Sequence, residues 1–298
     1  MLTASDWIER IIGLRRWSQQ GVRAPHKPLL LLYMIGRLAQ TGSRQVSFEE
    51  AEPELADLLE RYGPPVTKAT PEYPFHHLQN DEGLWEVSTS DGSDWPGSVR
   101  GKLRQVGMGA LTVEFATALA DPATRAAVVG VLLEEFADSY RTDLLEDVGL
   151  TEGSLALTVM SQTIRRRDPQ FRDNVLVAYE RRCAFCGFDG RLADRTIGLD
   201  AAHIRWHAND GPDEVSNGLA LCSIHHKLLD LGVVGLTADR TITVSRRFTG
   251  TGESAERLVL GLTGAPVLGP QSGSDPVNEE HIEWHQSQVF HGPARLAG

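Results

Sequence analysis

Apolar residues recur at helical spacing through the first 44 residues and again over 113–139, while short apolar runs between turns dominate beyond Cys186. Trp7, Ile11 and Leu14 fall on one helical face that Asp6 is placed to cap. Pro28 suits the first position of a second helix running to about Gln40. Ser47-Phe-Glu-Glu50 has capping-box spacing for a third helix through Leu55, Leu58 and Leu59, stopped by Gly63-Pro-Pro65. The Pro- and aromatic-rich stretch Tyr73-Pro-Phe-His-His77 reads as a loop, Leu84–Val87 as a strand and Ser88–Gly97 as a polar loop. Helical periodicity covers 113–120 and 122–139, then weakens over 142–164, which places a domain boundary there.

Asp168-Pro169 opens the second half as an N-cap and first helical residue, with the helix running to about Arg182. Leu199–Ile204 has strand character, Ser223–Leu231 reads as a short helix and Thr241–Phe248 as a strand. Residues 249–276, rich in Gly, Pro and Ser, suggest a hairpin and linker, and Val277–Phe290 a terminal helix. The expected class is α+β. A mainly helical domain with a small sheet spans 1–145, a linker 146–164 and a second domain 165–298.

Composition narrows the class. Of 298 residues, 41% are hydrophobic and 23% charged, as in a globular chain rather than a disordered or coiled-coil one. The longest apolar run, Leu29–Gly36, is far short of the ~20 residues that span a bilayer, and nothing at the N-terminus resembles a signal peptide. A cytoplasmic protein with no membrane partner is expected. The net charge of −11 argues against nucleic acid in general, but six Arg against three acids in 165–182 leave a local basic stripe that includes Arg165-Arg-Arg167.

Three cysteines are too few for a disulfide framework. Cys183-Ala-Phe-Cys186 and Cys222-x-x-His225 instead form two pairs at two-residue spacing, which suits a closed tetrahedral zinc site of structural type. His226 and Asp230, four residues apart on the helix, share a face as two ligands of a second cation would, while His225 points about 100° away. His281-Ile-Glu-Trp-His285 lacks the acid position of a zincin and reads as structural.

The order Cys-x-x-Cys, His203, Asn217-Gly218, Cys-x-x-His-His226-x-x-x-Asp230 resembles the HNH nucleases of the ββα-metal class, over residues 183–231. The resemblance implies a zinc-stabilised ββα-metal module in which His203 is the general base. It makes Asn217 the residue that orients that base or braces its loop. His226, with Asp230, would hold one divalent cation, magnesium or manganese, at the scissile phosphate. Family members often carry a metal-binding Asp or His just before the base. Ala202 stands there in this chain, and the nearest acid, Asp200, falls on the opposite strand face from His203.

Val22-Arg-Ala-Pro-His-Lys-Pro-Leu-Leu-Leu-Leu32 and Tyr73-Pro-Phe-His-His-Leu78, upstream of an HNH segment, resemble McrA-like type IV restriction endonucleases with a domain that reads phosphorothioate-modified DNA. Sulfur in place of a phosphate oxygen is larger, more polarisable and a poorer acceptor, so a reader should offer it an apolar concavity and offer the remaining oxygens cations. Tyr73 and Pro74 with the His26 ring fit the first requirement; Lys27 and Arg100, with Arg104 as rival, fit the second or a guanine edge. The partner is then double-stranded phosphorothioate DNA. Because one HNH site cuts one strand, homodimerisation or paired sites would complete a double-strand break. Two other readings remain open: the same nuclease with a methyl- or hydroxymethylcytosine reader, and a zinc-stabilised DNA-binding protein without catalysis.

Overall fold

In the computed structural model the chain divides into two compact units, Met1–Arg165 and Arg166–Gly298. The residues described are 2–15, 18–19, 22–64, 69–93, 100–136, 138–150 and 169–296. Trp95, Arg165-Arg-Arg167, the Asp168 cap and the stretch 151–164 lie outside them.

The first unit is organised around a helix that is buried on every side. Helices α1 (Ala4–Ile12), α2 (His26–Thr41) and α3 (Phe48–Tyr62) come first, with a two-residue ladder β1 (Ser18–Gln19)–β2 (Val22–Arg23) before α2 and strand β3 (Gln45–Ser47) before α3. Thr3, not Asp6, is the α1 N-cap: its hydroxyl accepts from the Asp6 N–H while the Asp6 carboxylate accepts from the Thr3 N–H at 2.6 Å. Helix α2 starts at His26, two residues ahead of the expected Pro28, because the first helical N–H groups have no intrahelical acceptor and a proline third in line loses nothing. Lys27 through Gly36 are all buried, so α2 is the unit's core. Burying each such leucine contributes about 1.5–3 kcal/mol. Gly36 is required, since a Cβ there would stand 1.8 Å from the Val148 carbonyl oxygen.

Ser47 caps α3 through the Glu50 N–H, but the Glu50 carboxylate turns away to Arg37 at 2.7 Å, so only half of the capping box forms. The expected loop at 73–77 is helix α4 (Glu72–His77), with Pro71 at its N-cap. It is fastened by the Trp85 indole donating to the Phe75 carbonyl and by T-shaped contacts of Phe75 with Phe48 and Trp85. Strand β4 (Trp85–Thr89) pairs with β5 (Gly107–Leu111), which also pairs with β3, giving an antiparallel sheet in the order β3-β5-β4. Helix α5 (Arg100–Val106) leads into β5. After α6 (Val113–Ala118) and α7 (Pro122–Leu133), the weakly periodic 142–147 proves helical as part of α8 (Asp138–Asp147), whose Tyr140, Leu144 and Leu145 are buried.

The second unit is built around a two-stranded sheet flanked by helices, with two shorter two-stranded sheets beside it in sequence. Helix α9 (Pro169–Ala178) ends four residues before the expected Arg182, because Glu180 and Arg181 take φ of 51° and 57°. A small hairpin β6 (Arg191–Leu192)–β7 (Arg195–Thr196) leads to β8 (Leu199–His203), which pairs antiparallel with β9 (Gly218–Cys222) before α10 (Ser223–Asp230). Phe171 and Val175 of α9 pack on this sheet with Leu199, Ala202, Leu219 and Leu221. The packing is close enough that a Cβ on Gly218 would meet Val175 at 2.5 Å.

Beyond α10, β10 (Val234–Leu236) pairs with β11 (Ile242–Val244), shorter than the expected 241–248. The stretch expected as hairpin and linker contains α11 (Glu253–Leu258), and the chain closes with α12 (Glu279–Gln288).

One sequence expectation about chemistry falls at this level. The Lys27 ammonium is buried, donating to the Arg15 carbonyl and to Asp81, whose own side chain is only 6% exposed. It therefore ties α2 to the turn before β4 and does not present charge to a phosphate. Asp81→Ala strands a buried ammonium and is expected to lower stability by about 3–5 kcal/mol, with Asp81→Leu plus Lys27→Met recovering most of it. Denaturant unfolding measures this, and a loss below about 1 kcal/mol would mean a solvent-screened pair.

Candidate active site and metal centre

The tight turn that carries Cys183 and Cys186 is closed by two hydrogen bonds: Cys183 N–H to the Phe188 carbonyl and Gly187 N–H to the Cys183 carbonyl, both at 2.8 Å. Gly187 takes φ of 72°, which a residue with a side chain rarely adopts. Cys222 ends β9 and caps α10, so His225 lies one turn along that helix. The His225 Nε2–H donates to the Leu258 carbonyl at 2.8 Å, which leaves the lone pair on Nδ1. That nitrogen is 3.4 Å from Cys183 Sγ and 3.2 Å from Cys222 Sγ, and Cys186 Sγ is 4.0 Å from Cys222 Sγ.

All four ligand atoms lie within 4.8 Å of one another. A zinc–thiolate tetrahedron with bonds of about 2.3 Å has edges of about 3.8 Å, so the set fits. A hydrogen bond from the Cys222 thiol, opposed by burial and assisted by His225, pushes the Cys183 thiol down to about 3. The same contact pushes the Cys222 thiol up, and burial pushes the Cys186 thiol up, so the protein by itself favours one thiolate of the three. With all four positions filled by protein, it suits a structural metal.

His203, the last residue of β8, lies on the buried side of the sheet with its ring stacked on Phe171 at a centroid distance of 4.0 Å. Its Nε2 is 2.8 Å from Asp213 Oδ1, and His207 Nε2 is 3.9 Å from the other Asp213 oxygen. Asn217 is fully buried and its carboxamide is fully used. Oδ1 accepts from the Arg205 N–H at 2.9 Å, while Nδ2 donates to the Arg205 and Pro212 carbonyls at 2.9 and 3.0 Å. Asn217 thus ties the segment after His203 to the residue before Asp213, and so braces the loop rather than touching the imidazole.

On α10, His226 Nε2 is 3.4 Å from Asp230 Oδ2, and the Asp230 side chain is 4% exposed. Two ligands at about 2.1 Å in adjacent octahedral positions would be about 3 Å apart, so this pair is spaced to share one cation. Asp200 does not join them. It is exposed on the other face of β8 and pairs with Arg172 at 3.3 Å, as strand alternation dictates.

In the first unit the expected reader residues separate. Tyr73 on α4 is exposed (41%) with its ring stacked near that of His77, whereas Pro74 beside it is buried and contributes to packing instead of surface. His26 is partly buried, its Nδ1 has no hydrogen-bond partner, and burial lowers its pKa, favouring the neutral ring. Arg104 is exposed but its guanidinium forks onto the Glu52 carboxylate. Arg100 begins α5, and its side chain is outside the described residues.

Residues 4–153 match the family of ScoMcrA-like DNA sulfur-binding domains. The chain belongs to this family. Residues 183–237 match the HNH endonuclease family, a span that contains both Cys pairs, His203, Asn217 and α10. Among solved structures, the chain is similar to the sulfur-binding domain of SprMcrA complexed with phosphorothioated DNA. Identity is 26%, covering 51% of this chain and 96% of that one, with a TM-score of 0.43. The corresponding ScoMcrA complex gives 26% identity, 49% and 96% coverage and a TM-score of 0.41. Against the type IV phosphorothioation-dependent restriction endonuclease ScoMcrA, identity is 22%, coverage 54% of this chain and 35% of that one, and the TM-score 0.40. No curated protein matches the chain. No helix among the described residues is long and apolar enough to cross a membrane.

Sequence reasoning missed Asp213 and His207, whose signal was present: a second histidine four residues after His203, then an acid after Gly211-Pro212. The histidine pair read as structural lies on α12, and the structure supplies the partner of one member. His285 is buried and its Nε2–H donates to the Leu229 carbonyl at 2.9 Å, fixing α12 to the helix that carries His226. Glu280 reaches Arg205 at 3.5 Å, and Trp284 meets Trp206 edge-on.

Burial drops the His285 pKa from 6.5 to about 4. An unfolded histidine gains a proton that the folded one refuses, so this contribution is complete above pH 6.5 and shrinks as pH falls toward 4. The loss reaches on the order of 3 kcal/mol. Melts between pH 7 and 5 should show a falling midpoint whose slope is reduced in His285→Gln; an identical slope would remove His285 as the source.

Proposed function

We propose that this chain is a modification-dependent DNA endonuclease, whose first unit reads a phosphorothioate and whose second hydrolyses a nearby phosphodiester bond. The observation that carries the reading is the succession, in one chain, of a DNA sulfur-binding domain and an HNH domain in which an imidazole is held by a carboxylate. In this reading the reader is 1–145, the linker 146–164 and the nuclease 165–298, in a cytoplasmic setting.

In the reader, the exposed Tyr73 ring and the neutral His26 edge would give sulfur a polarisable, weakly donating surface. Arg100 and Arg104 are the cations for the remaining oxygens or a guanine edge, Arg104 by exchanging Glu52 for DNA. In the nuclease, zinc is the metal that three thiolates and an imidazole select, and its part is to hold the turn and α10 together. His226 and Asp230 would hold the magnesium or manganese ion. When bound, that ion supplies positive charge to the phosphate oxygens.

The chain's own chemistry centres on His203. With Nε2–H donated to Asp213, Nδ1 takes a proton from water. The water oxygen forms a bond to phosphorus, the ester P–O bond breaks and the departing alkoxide takes up a proton from solvent. Two copies, as a homodimer or at neighbouring sites, would sever both strands.

The test uses full-length protein and two duplexes that differ by one sulfur-for-oxygen replacement. Preferential binding and cation-dependent cutting of the sulfur duplex are expected, with cutting reduced at least about 100-fold and binding retained in His203→Ala. Equal binding would reject the sulfur reader and favour a modified-cytosine reader. Undiminished cutting by His203→Ala would reject the base assignment. Sulfur-dependent binding with no cutting under any divalent ion would leave a binding protein.

A further inference from the structure

We infer that Asp213 is the positioning residue of the nuclease centre: it fixes which imidazole nitrogen of His203 carries the proton and which face of the ring addresses the phosphate. The inference rests on the reading of His203 as base and adds a residue to which the comparisons give no role.

A carboxylate only accepts hydrogen bonds, so a His203 Nε2 that lies 2.8 Å from Asp213 Oδ1 must be the protonated nitrogen. The base is then Nδ1. Histidine tautomers differ little in intrinsic energy, so an unheld imidazole keeps a share of the form with the proton on Nδ1 and is free to turn its ring away. Stacking on Phe171 restricts the ring plane but cannot choose the tautomer, because both ring edges present a nitrogen to it in the same way. Asp213 makes that choice.

Three features show that the pair is built rather than incidental. The side chains of His203 and Asp213 are 8% and 17% exposed, so water competes weakly with their hydrogen bond. The buried Asn217 clamps the Arg205 backbone two residues past His203 and the Pro212 carbonyl directly before Asp213, which fixes the two ends of the pair against each other. Gly211 lets the chain turn back at this point: a Cβ there would stand 1.9 Å from the Arg205 carbonyl oxygen, so the intervening loop folds tightly enough to return Asp213 to the ring. His207 approaches the second Asp213 oxygen at 3.9 Å and gives the carboxylate a further polar neighbour.

The decisive variant is Asp213→Asn, which keeps size and shape but can turn an amide N–H toward Nε2. That favours the opposite tautomer, with a proton on the nitrogen that should act as base. Cutting of the sulfur duplex is expected to fall about 100- to 10,000-fold while DNA binding and the melting midpoint stay near those of the unaltered chain. Asp213→Ala, which removes the wrong donor along with the acceptor, should retain more activity than Asp213→Asn, and Asp213→Glu should restore part of the loss.

The second readout is the ¹⁵N imidazole spectrum of His203 in the full chain, assigned by its loss in His203→Ala. The Nε2–H form is expected in the unaltered chain and the Nδ1–H form in Asp213→Asn. Near-normal cutting by Asp213→Asn, where His203→Ala is inert, overturns the positioning role and leaves the base assignment standing. A His203→Ala chain that still cuts overturns both. An unchanged tautomer in Asp213→Asn overturns the inference whatever the cutting rates, and losses that simply track the melting midpoints of the three variants do so as well.

Discussion

The arrangement of the second unit depends on one constraint: four ligand atoms from two distant turns must converge within the reach of a single ion. Cys183 and Cys186 sit on a turn at the end of α9, whereas Cys222 and His225 sit at the junction of β9 and α10. Holding them together fixes the direction in which α10 leaves the sheet. Once His225 faces the cluster, the helical period sends its neighbour His226 to another face, where Asp230 meets it one turn later. The strand that precedes α10 is paired with β8, so the same constraint places His203. The unit has a continuous apolar core from Phe171 to Ile282, and the cluster adds to it a fixed join between the Cys183–Cys186 turn and the β9–α10 junction.

The first unit solves the opposite problem. It has a large apolar core around α2, and the energetic risk is the charge inside it. The Lys27–Asp81 pair resolves that risk by joining the start of α2 to the turn before β4, the same region from which α4 displays Tyr73. Helix α4, which carries the exposed Tyr73, is fastened at Phe75 by Trp85 and Phe48. Arg104 is held by Glu52, so at this position one acid of an acidic unit balances a surface cation.

Much of this was legible in the chain. Two-residue Cys and Cys/His spacing defined the metal cluster, because ligand geometry leaves a direct trace in sequence. The His226–Asp230 relation followed from helical period alone, and strand alternation separated Asp200 from His203. What sequence concealed was tertiary. Lys27 reads as a cation beside a loop until Asp81, 54 residues away, is brought against it. Pro74 reads as a turn former in Tyr73-Pro-Phe-His-His77, yet a proline is also tolerated in the first turn of a helix, and packing against Trp85 and Phe48 selects that alternative. Asp213 was concealed by its setting, since an acid after Gly-Pro usually serves a turn, and only the return of the loop onto His203 gives it a second task. The bracing by α12 had no local signal, because a buried histidine that meets a backbone carbonyl looks like any other helix residue in the sequence.

The claim at the centre of this account is that the Cys183–Cys186–Cys222–His225 cluster holds an ion that organises the nuclease centre. Amide hydrogen exchange of the full chain, with the ion present and after its removal by a chelator, tests it most directly. The account predicts that removal abolishes protection across Leu199–His203 and Gly218–Asp230 while protection in His26–Thr41 of the first unit is unchanged. Equal protection of the β8, β9 and α10 amides in both states would contradict it.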